Sequence, residues 1–121
     1  MRRRLLLRGA TALGALSLAG PGLRSAAQAA PRVVPVLARR FVFIPAEITA
    51  RLGEAVVLEF SAPEVVMGFY APALGLRALL VPGPPVRVAW RPDRAGSFDF
   101  LCDVFCGDGH EGMSGHLVVQ A

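Results

Sequence analysis

Alternation of apolar and polar positions with a period of two dominates the chain after residue 30. Residues 55–60 place Val56, Leu58 and Phe60 on one face of a strand, with Leu52-Gly53-Glu54 turning the chain just before it. Residues 86–90 repeat the pattern with Val86, Val88 and Trp90 inward, and residues 97–101 offer Phe98 and Phe100 in a partner strand. Between them Arg91-Pro92-Asp93-Arg94-Ala95-Gly96 reads as a turn. Phe41, Phe43 and Ile44 suggest a further strand that stops at Pro45, and residues 116–119 a closing one. Residues 65–81 are apolar but irregular, their period broken by Gly68 and Gly75. Prolines at 63, 72, 82, 84, 85 and 92 space the strands and exclude long helices. Short strands separated by turn signals predict an all-β sandwich.

The first 29 residues follow another logic. Arg2, Arg3, Arg4 and Arg8 precede an uncharged apolar stretch of about 15 residues, and Ala27-Gln28-Ala29 is an A-x-A cleavage signal. Residues 1–29 are therefore expected to be a cleavable signal peptide. Arg3-Arg4-Leu5-Leu6-Leu7-Arg8 fits the twin-arginine pattern, and an ordinary secretory signal fits as well. The stretch is shorter than the roughly 20 residues that span a bilayer, which leaves a retained anchor as the lesser alternative. The expected location is the periplasm. Residues 30–121 remain as one small domain with a single modest core.

Cleavage changes the charge. All 13 basic residues are arginine and five of them precede Ala29, so eight arginines face nine acids and the formal net charge becomes −1. The high isoelectric point belongs to the precursor and gives no support for nucleic-acid binding.

The chemistry gathers near the C-terminus. Cys102, Cys106, His110 and Met113 put two thiols, an imidazole and a thioether within twelve residues, between the run at 97–101 and the closing strand. Thiolate and thioether are soft and imidazole intermediate, a mixture that favours copper over hard cations. Other readings of the same residues exist. In an oxidising compartment Cys102 and Cys106 would form a disulfide in a purely structural sandwich. Cys102, Cys106 and His110 would hold zinc with Asp108 or Glu111 as fourth ligand. Met113 would then be a core methionine filling a gap. The chain shows no nucleophile–base pair, phosphate loop or substrate pocket, so it is expected not to be an enzyme.

The Cys-x3-Cys-x3-His-x2-Met spacing resembles the binuclear copper-A motif of cytochrome oxidase subunit II and nitrous-oxide reductase, both of the cupredoxin fold. The resemblance extends upstream over most of residues 30–121. Glu64-Val65-Val66-Met67-Gly68-Phe69-Tyr70-Ala71-Pro72 is similar to the family's Asp-Val-x-His-x-Phe-x-x-Pro segment, and Leu79-Leu80-Val81-Pro82-Gly83 to its Val-Pro-Gly. Residues 98–102 look like the strand that delivers the first cysteine. The resemblance implies a Greek-key cupredoxin with copper held by Cys102, Cys106, His110 and Met113, and with the Val104 carbonyl at the position where the family usually has a glutamate. Where the family has a histidine for one of two coppers, this chain has Met67. A thioether there favours Cu(I). Oxidase subunits add transmembrane helices and a tryptophan-rich segment for electron entry, whereas this chain has Trp90 alone, turned inward, and is not expected to be an ordinary oxidase subunit.

Two roles follow from the resemblance: a periplasmic electron carrier with a copper-A-like centre, or a carrier that delivers Cu(I) to a respiratory copper enzyme. The cofactor is then a binuclear or a single copper. The partner is a redox protein or that enzyme. His116 is expected on the closing strand, Phe69 and Tyr70 in the core, and Glu64 either orienting the ligand segment or solvated.

Overall fold

The computed structural model of the protein describes Gly14 and residues 30–121. The expected signal peptide therefore lies, Gly14 apart, outside the described residues. Among these, nine strands build two sheets that pack face to face, the all-β sandwich that the alternation predicts. One sheet has the order β2-β1-β4-β7, from β1 (Arg32–Arg39), β2 (Val42–Ile44), β4 (Val56–Ser61) and β7 (Val86–Trp90). The other has the order β3-β9-β8-β5-β6, from β3 (Glu47–Arg51), β5 (Met67–Ala71), β6 (Leu76–Leu80), β8 (Gly96–Leu101) and β9 (Ser114–Gln120). β1 runs parallel to β4 and β3 parallel to β9; the remaining pairs are antiparallel.

Inward positions fill the space between the sheets. Val56, Leu58 and Phe60 of β4 are buried, and Trp90 of β7 faces in as the alternation requires. Phe43 and Phe60 from one sheet meet Phe69 and Phe100 from the other. The ring centroids lie 5.0 Å apart for Phe43–Phe100, 4.7 Å for Phe60–Phe69 and 5.3 Å for Phe69–Phe100. These spacings are those of tilted and edge-to-face pairs, each worth about 0.5–1.5 kcal/mol beyond the area it buries. The chain thus carries a continuous aromatic seam in the order Phe43, Phe100, Phe69, Phe60, and its Phe100 stands two residues before Cys102.

Several elements were not visible as periodic runs. β1 is apolar on both faces around Pro35, which hides its inward set of Val34, Val36 and Ala38, and β3 buries only Ile48 and Ala50 between polar neighbours. The irregular stretch 65–81 holds β5 and β6, joined by a short 3-10 turn at Pro72–Leu74 and the left-handed Gly75 (φ 66°). Residues 67–69 are buried in succession, which erases the alternation a half-exposed strand would show. Phe69 is in the core as expected. Tyr70 is half-buried instead, since it points to the outer face beneath Arg77, 5.1 Å from its ring centre. Phe41 is in the turn between β1 and β2 and not in a strand, while Phe43 is the buried member of that pair.

At the end of the sandwich remote from the cysteine loop, Glu54 accepts hydrogen bonds from Arg32 Nε (2.8 Å) and from the Arg51 backbone N–H (3.0 Å). The Arg32 hydrogen bond, and then the Arg51 amide, lower the Glu54 carboxyl from its usual 4.5 to about 2. A carboxyl held below its unfolded value contributes stability above pH 4.5 that fades as pH falls through about 2. Glu54→Gln is therefore expected to destabilise the domain at neutral pH, and its deficit against the wild type should shrink between pH 4.5 and 2 in denaturant titrations. A deficit that stays constant with pH would show that the pair contributes nothing electrostatic.

Candidate metal centre

The loop from Cys102 to Met113 joins β8 to β9, neighbouring antiparallel strands, so its two ends are fixed by the sheet. The Cys102 N–H donates to Met113 O (3.0 Å) and closes the base of the loop one step beyond the Leu101–Ser114 pair. A 3-10 turn at His110–Gly112 tightens the far side: His110 N–H donates to Gly107 O (3.1 Å), and Met113 N–H to His110 O (3.1 Å). That turn brings the imidazole and the thioether back over the cysteines.

Cys106 is the hub. Its Sγ lies 3.8 Å from Cys102 Sγ, 3.8 Å from His110 Nδ1 and 3.9 Å from Met113 Sδ. The donor atoms of Cys102, Cys106 and His110 all fall within 4.8 Å of one another. Two sulfurs bound to one tetrahedral ion at about 2.3 Å stand about 3.8 Å apart, which the two cysteines match. Cys102, Cys106 and Met113 are buried and His110 is half-buried, so water is kept from the sulfurs. Burial, then the Cys102 thiol beside it, push the Cys106 thiol above its usual range, with Arg40 pulling the other way. A metal entering the site must displace that proton.

The competing readings meet this geometry directly. The cysteines are free and 3.8 Å apart, whereas a disulfide requires about 2.0 Å. Among the described residues no carboxylate joins the Cys102–Cys106–His110 group, and Asp108 and Glu111 stand outside it. The fourth donor beside the hub is the soft Met113 thioether. The donor set fits copper.

The two remaining candidates sit at its edge. The Val104 carbonyl accepts from Cys102 Sγ at 3.2 Å, which turns it toward the sulfur pair. Met67 is fully buried on β5, one residue before the Gly68 N–H that donates to Cys102 Sγ at 3.5 Å. Its side chain belongs to the hydrophobic core cluster, and the sulfur contacts of Cys106 run to Cys102 and Met113. His116 is on β9 and pairs with Asp99 (2.7 Å) opposite it on β8, away from the donors. Glu64 is bound to Arg39 Nε (3.2 Å).

Two features around the loop escape sequence reasoning. Phe41 holds a left-handed backbone (φ 74°), uncommon for a bulky residue, and lays its ring over the loop. A Cβ at Gly109 would stand 2.6 Å from Phe41 Cγ, so only glycine fits beneath the ring. On the other side Asp103, next to the first cysteine, is nearly buried and paired with Arg77. No local pattern announces either contact, because both join segments far apart in sequence.

A family description, cupredoxin-like domain, matches residues 10–119. The chain belongs to the cupredoxin-like family. This cupredoxin is 31% identical over 87 residues to a cytochrome c oxidase subunit 2 of Thermus thermophilus, covering 72% of this chain and 64% of that one. It thus spans somewhat under two thirds of that relative's length. The periplasmic domain of subunit II of cytochrome oxidase of Bradyrhizobium japonicum superposes with a TM-score of 0.67 at 14% identity, over 74% of this chain and 83% of the other. The metal-binding domain of the Cu(I)-exporting P-type ATPase of Streptococcus pneumoniae, solved with Cu(I), gives 0.59 at 16% identity, over 74% and 85%. At such identities the two structures show the fold alone. On this fold the cysteine–cysteine–histidine group of the present cupredoxin is of the copper-binding type. No helix among the described residues is long and apolar enough to cross a membrane.

Proposed function

We propose that this cupredoxin is an exported electron-transfer domain whose copper-A-like centre is held by Cys102, Cys106, His110 and Met113. The observation that carries the reading is the placement of three soft or intermediate donors around Cys106 at 3.8–3.9 Å on a loop closed at both ends. Copper would supply a reversible one-electron couple there. The protein's own contribution is mechanical and electrostatic. The β8–β9 ladder fixes the loop, burial of both cysteines excludes water, and the Val104 carbonyl faces the sulfur pair. A site that needs little rearrangement between oxidation states transfers electrons quickly. The chain is read as a redox module without a reaction of its own, working in the periplasm beside a redox protein or a respiratory copper enzyme. The similarity to oxidase subunit 2 supports that partner class.

Met67 favours a second reading. A thioether in place of an imidazole shifts preference toward Cu(I), and the domain then becomes a copper carrier that hands the ion to a respiratory enzyme. Copper analysis of protein matured in its own periplasm separates the two. Two coppers per chain, a mixed-valence paramagnetic signal and reversible cycling support electron transfer. One colourless Cu(I) that passes to an acceptor protein overturns it in favour of the carrier.

Substitution at this position gives a sharper readout. Met67→His is expected to restore an imidazole beside the Gly68–Cys102 contact and to move the optical and paramagnetic spectra toward those of a two-copper mixed-valence centre. Spectra identical to the wild type would place Met67 in the core only.

A further inference from the structure

We propose that the Arg77–Asp103 ion pair is a positioning latch that sets the Cys102 sulfur against the Gly68 amide. The proposal deepens the metal-site reading, since it names what holds the first cysteine in place. Asp103 follows Cys102 directly, and its side chain is only 12% exposed. Its Oδ2 lies 2.6 Å from Arg77 Nε, off the line of the N–H, so the contact is an ion pair more than an aligned hydrogen bond.

The latch acts across three strands. Arg77 is on the edge strand β6, directly opposite Tyr70 of β5, and its guanidinium stacks over the Tyr70 ring. Tyr70 in turn faces Leu101, the residue before Cys102, and that is the one register pair between β5 and β8. The sheet therefore gives the Cys102 corner little ladder support on this side. Asp103 replaces it: its carboxylate packs over Gly68, where a Cβ would collide with Asp103 Oδ1 and stand 3.0 Å from Val104 Cγ2. With the corner pressed down in this way, Gly68 N–H reaches Cys102 Sγ at 3.5 Å. A hydrogen bond of this kind withdraws charge from a ligating sulfur and tunes the metal that it binds.

The effect should be selective for Cys102. Cys106 takes its contacts from Cys102, His110 and Met113, whereas Arg77 bears on Asp103 and Tyr70. Releasing the latch frees one sulfur of the pair and leaves the other in its place.

The test uses alkylation rates of the two thiols in reduced, metal-free protein, resolved by mass spectrometry, together with the optical bands of the copper-loaded form. Asp103→Asn keeps the shape over Gly68 and removes the charge; Arg77→Met removes the partner; Arg77→Lys keeps a cation at the edge. Alkylation of Cys102 is expected to rise about tenfold in Asp103→Asn and Arg77→Met, the factor for losing one charge-assisted contact, with Cys106 unchanged. The sulfur-to-copper bands should shift in the same two variants, and Arg77→Lys should restore both readouts. Equal acceleration at both cysteines, or wild-type rates in both variants, would overturn the latch. Arg77 is two-thirds exposed, so Arg77→Met carries the test if Asp103→Asn does not fold. A wild-type protein that takes up no copper would sink the metal reading while the alkylation ratio still decides the latch.

Discussion

Cys106→Ser is expected to lower copper affinity by about two to three orders of magnitude while leaving the sandwich folded. The estimate takes the roughly 10–16 kcal/mol of a four-ligand structural zinc site as its scale and divides it among the ligands. Among the four donors Cys106 is the one in contact with the other three, at 3.8, 3.8 and 3.9 Å. Serine fits the space but replaces a soft donor by a hard one, and copper discriminates strongly between them. The fold should tolerate the change, because the loop is fixed by the Cys102–Met113 backbone hydrogen bond and by the 3-10 turn, which do not use the side chain. Competition titrations with a Cu(I) chelator measure the loss, and thermal unfolding of the metal-free variant checks the scaffold. An affinity equal to that of the wild type would remove Cys106 from the ligand set and with it the geometric basis of the site.

The second large effect concerns the scaffold. Phe100→Ala is expected to destabilise the domain by about 3–5 kcal/mol, a large share of the roughly 5–15 kcal/mol that holds a small domain together. Phe100 is fully buried at the middle of the aromatic seam, edge-on to Phe43 and tilted against Phe69. Its removal opens a cavity against both sheets, and the neighbours on strands cannot collapse into it without breaking the ladder. Phe105 supplies the control. That ring is 73% exposed on the loop, 5.8 Å from the His110 ring, so Phe105→Ala should change stability by less than about 0.5 kcal/mol. Urea unfolding of the two variants compares them directly, and similar losses would mean that the seam does not organise the core.

These two residues also mark what the amino-acid pattern reveals. Phe100, Val56, Leu58, Phe60 and Trp90 are legible because large apolar residues recur at every second position of their strands, so the sheet face follows from spacing alone. The four loop donors are legible for a different reason: they are chemically rare and close together in sequence. β5 and β6 are hidden, since burial on both faces of residues 67–69 removes the alternation. β3 is hidden because it offers only two inward residues, Ile48 and the small Ala50, too short a run to stand out. Around the site, Asp103–Arg77 and Phe41–Gly109 join residues 26 and 68 positions apart, and nothing in either partner's neighbourhood anticipates the other. Met67 stands between these cases. Its position is readable from the resemblance and its burial from the fold, while the atoms that its sulfur meets with metal present are a matter for the Met67→His experiment.

The placement of β9 has a consequence for how the molecule is made. This strand, the last of the domain, lies between β3 and β8 in the interior of its sheet. Until it emerges, β3 has no neighbour and the cysteine loop hangs from β8 by one end. A chain caught in mid-synthesis therefore carries its thiols on an open tether. Closing of the donor loop is therefore tied to the insertion of β9 between its two neighbours, and the four donors come into register only once that strand has paired.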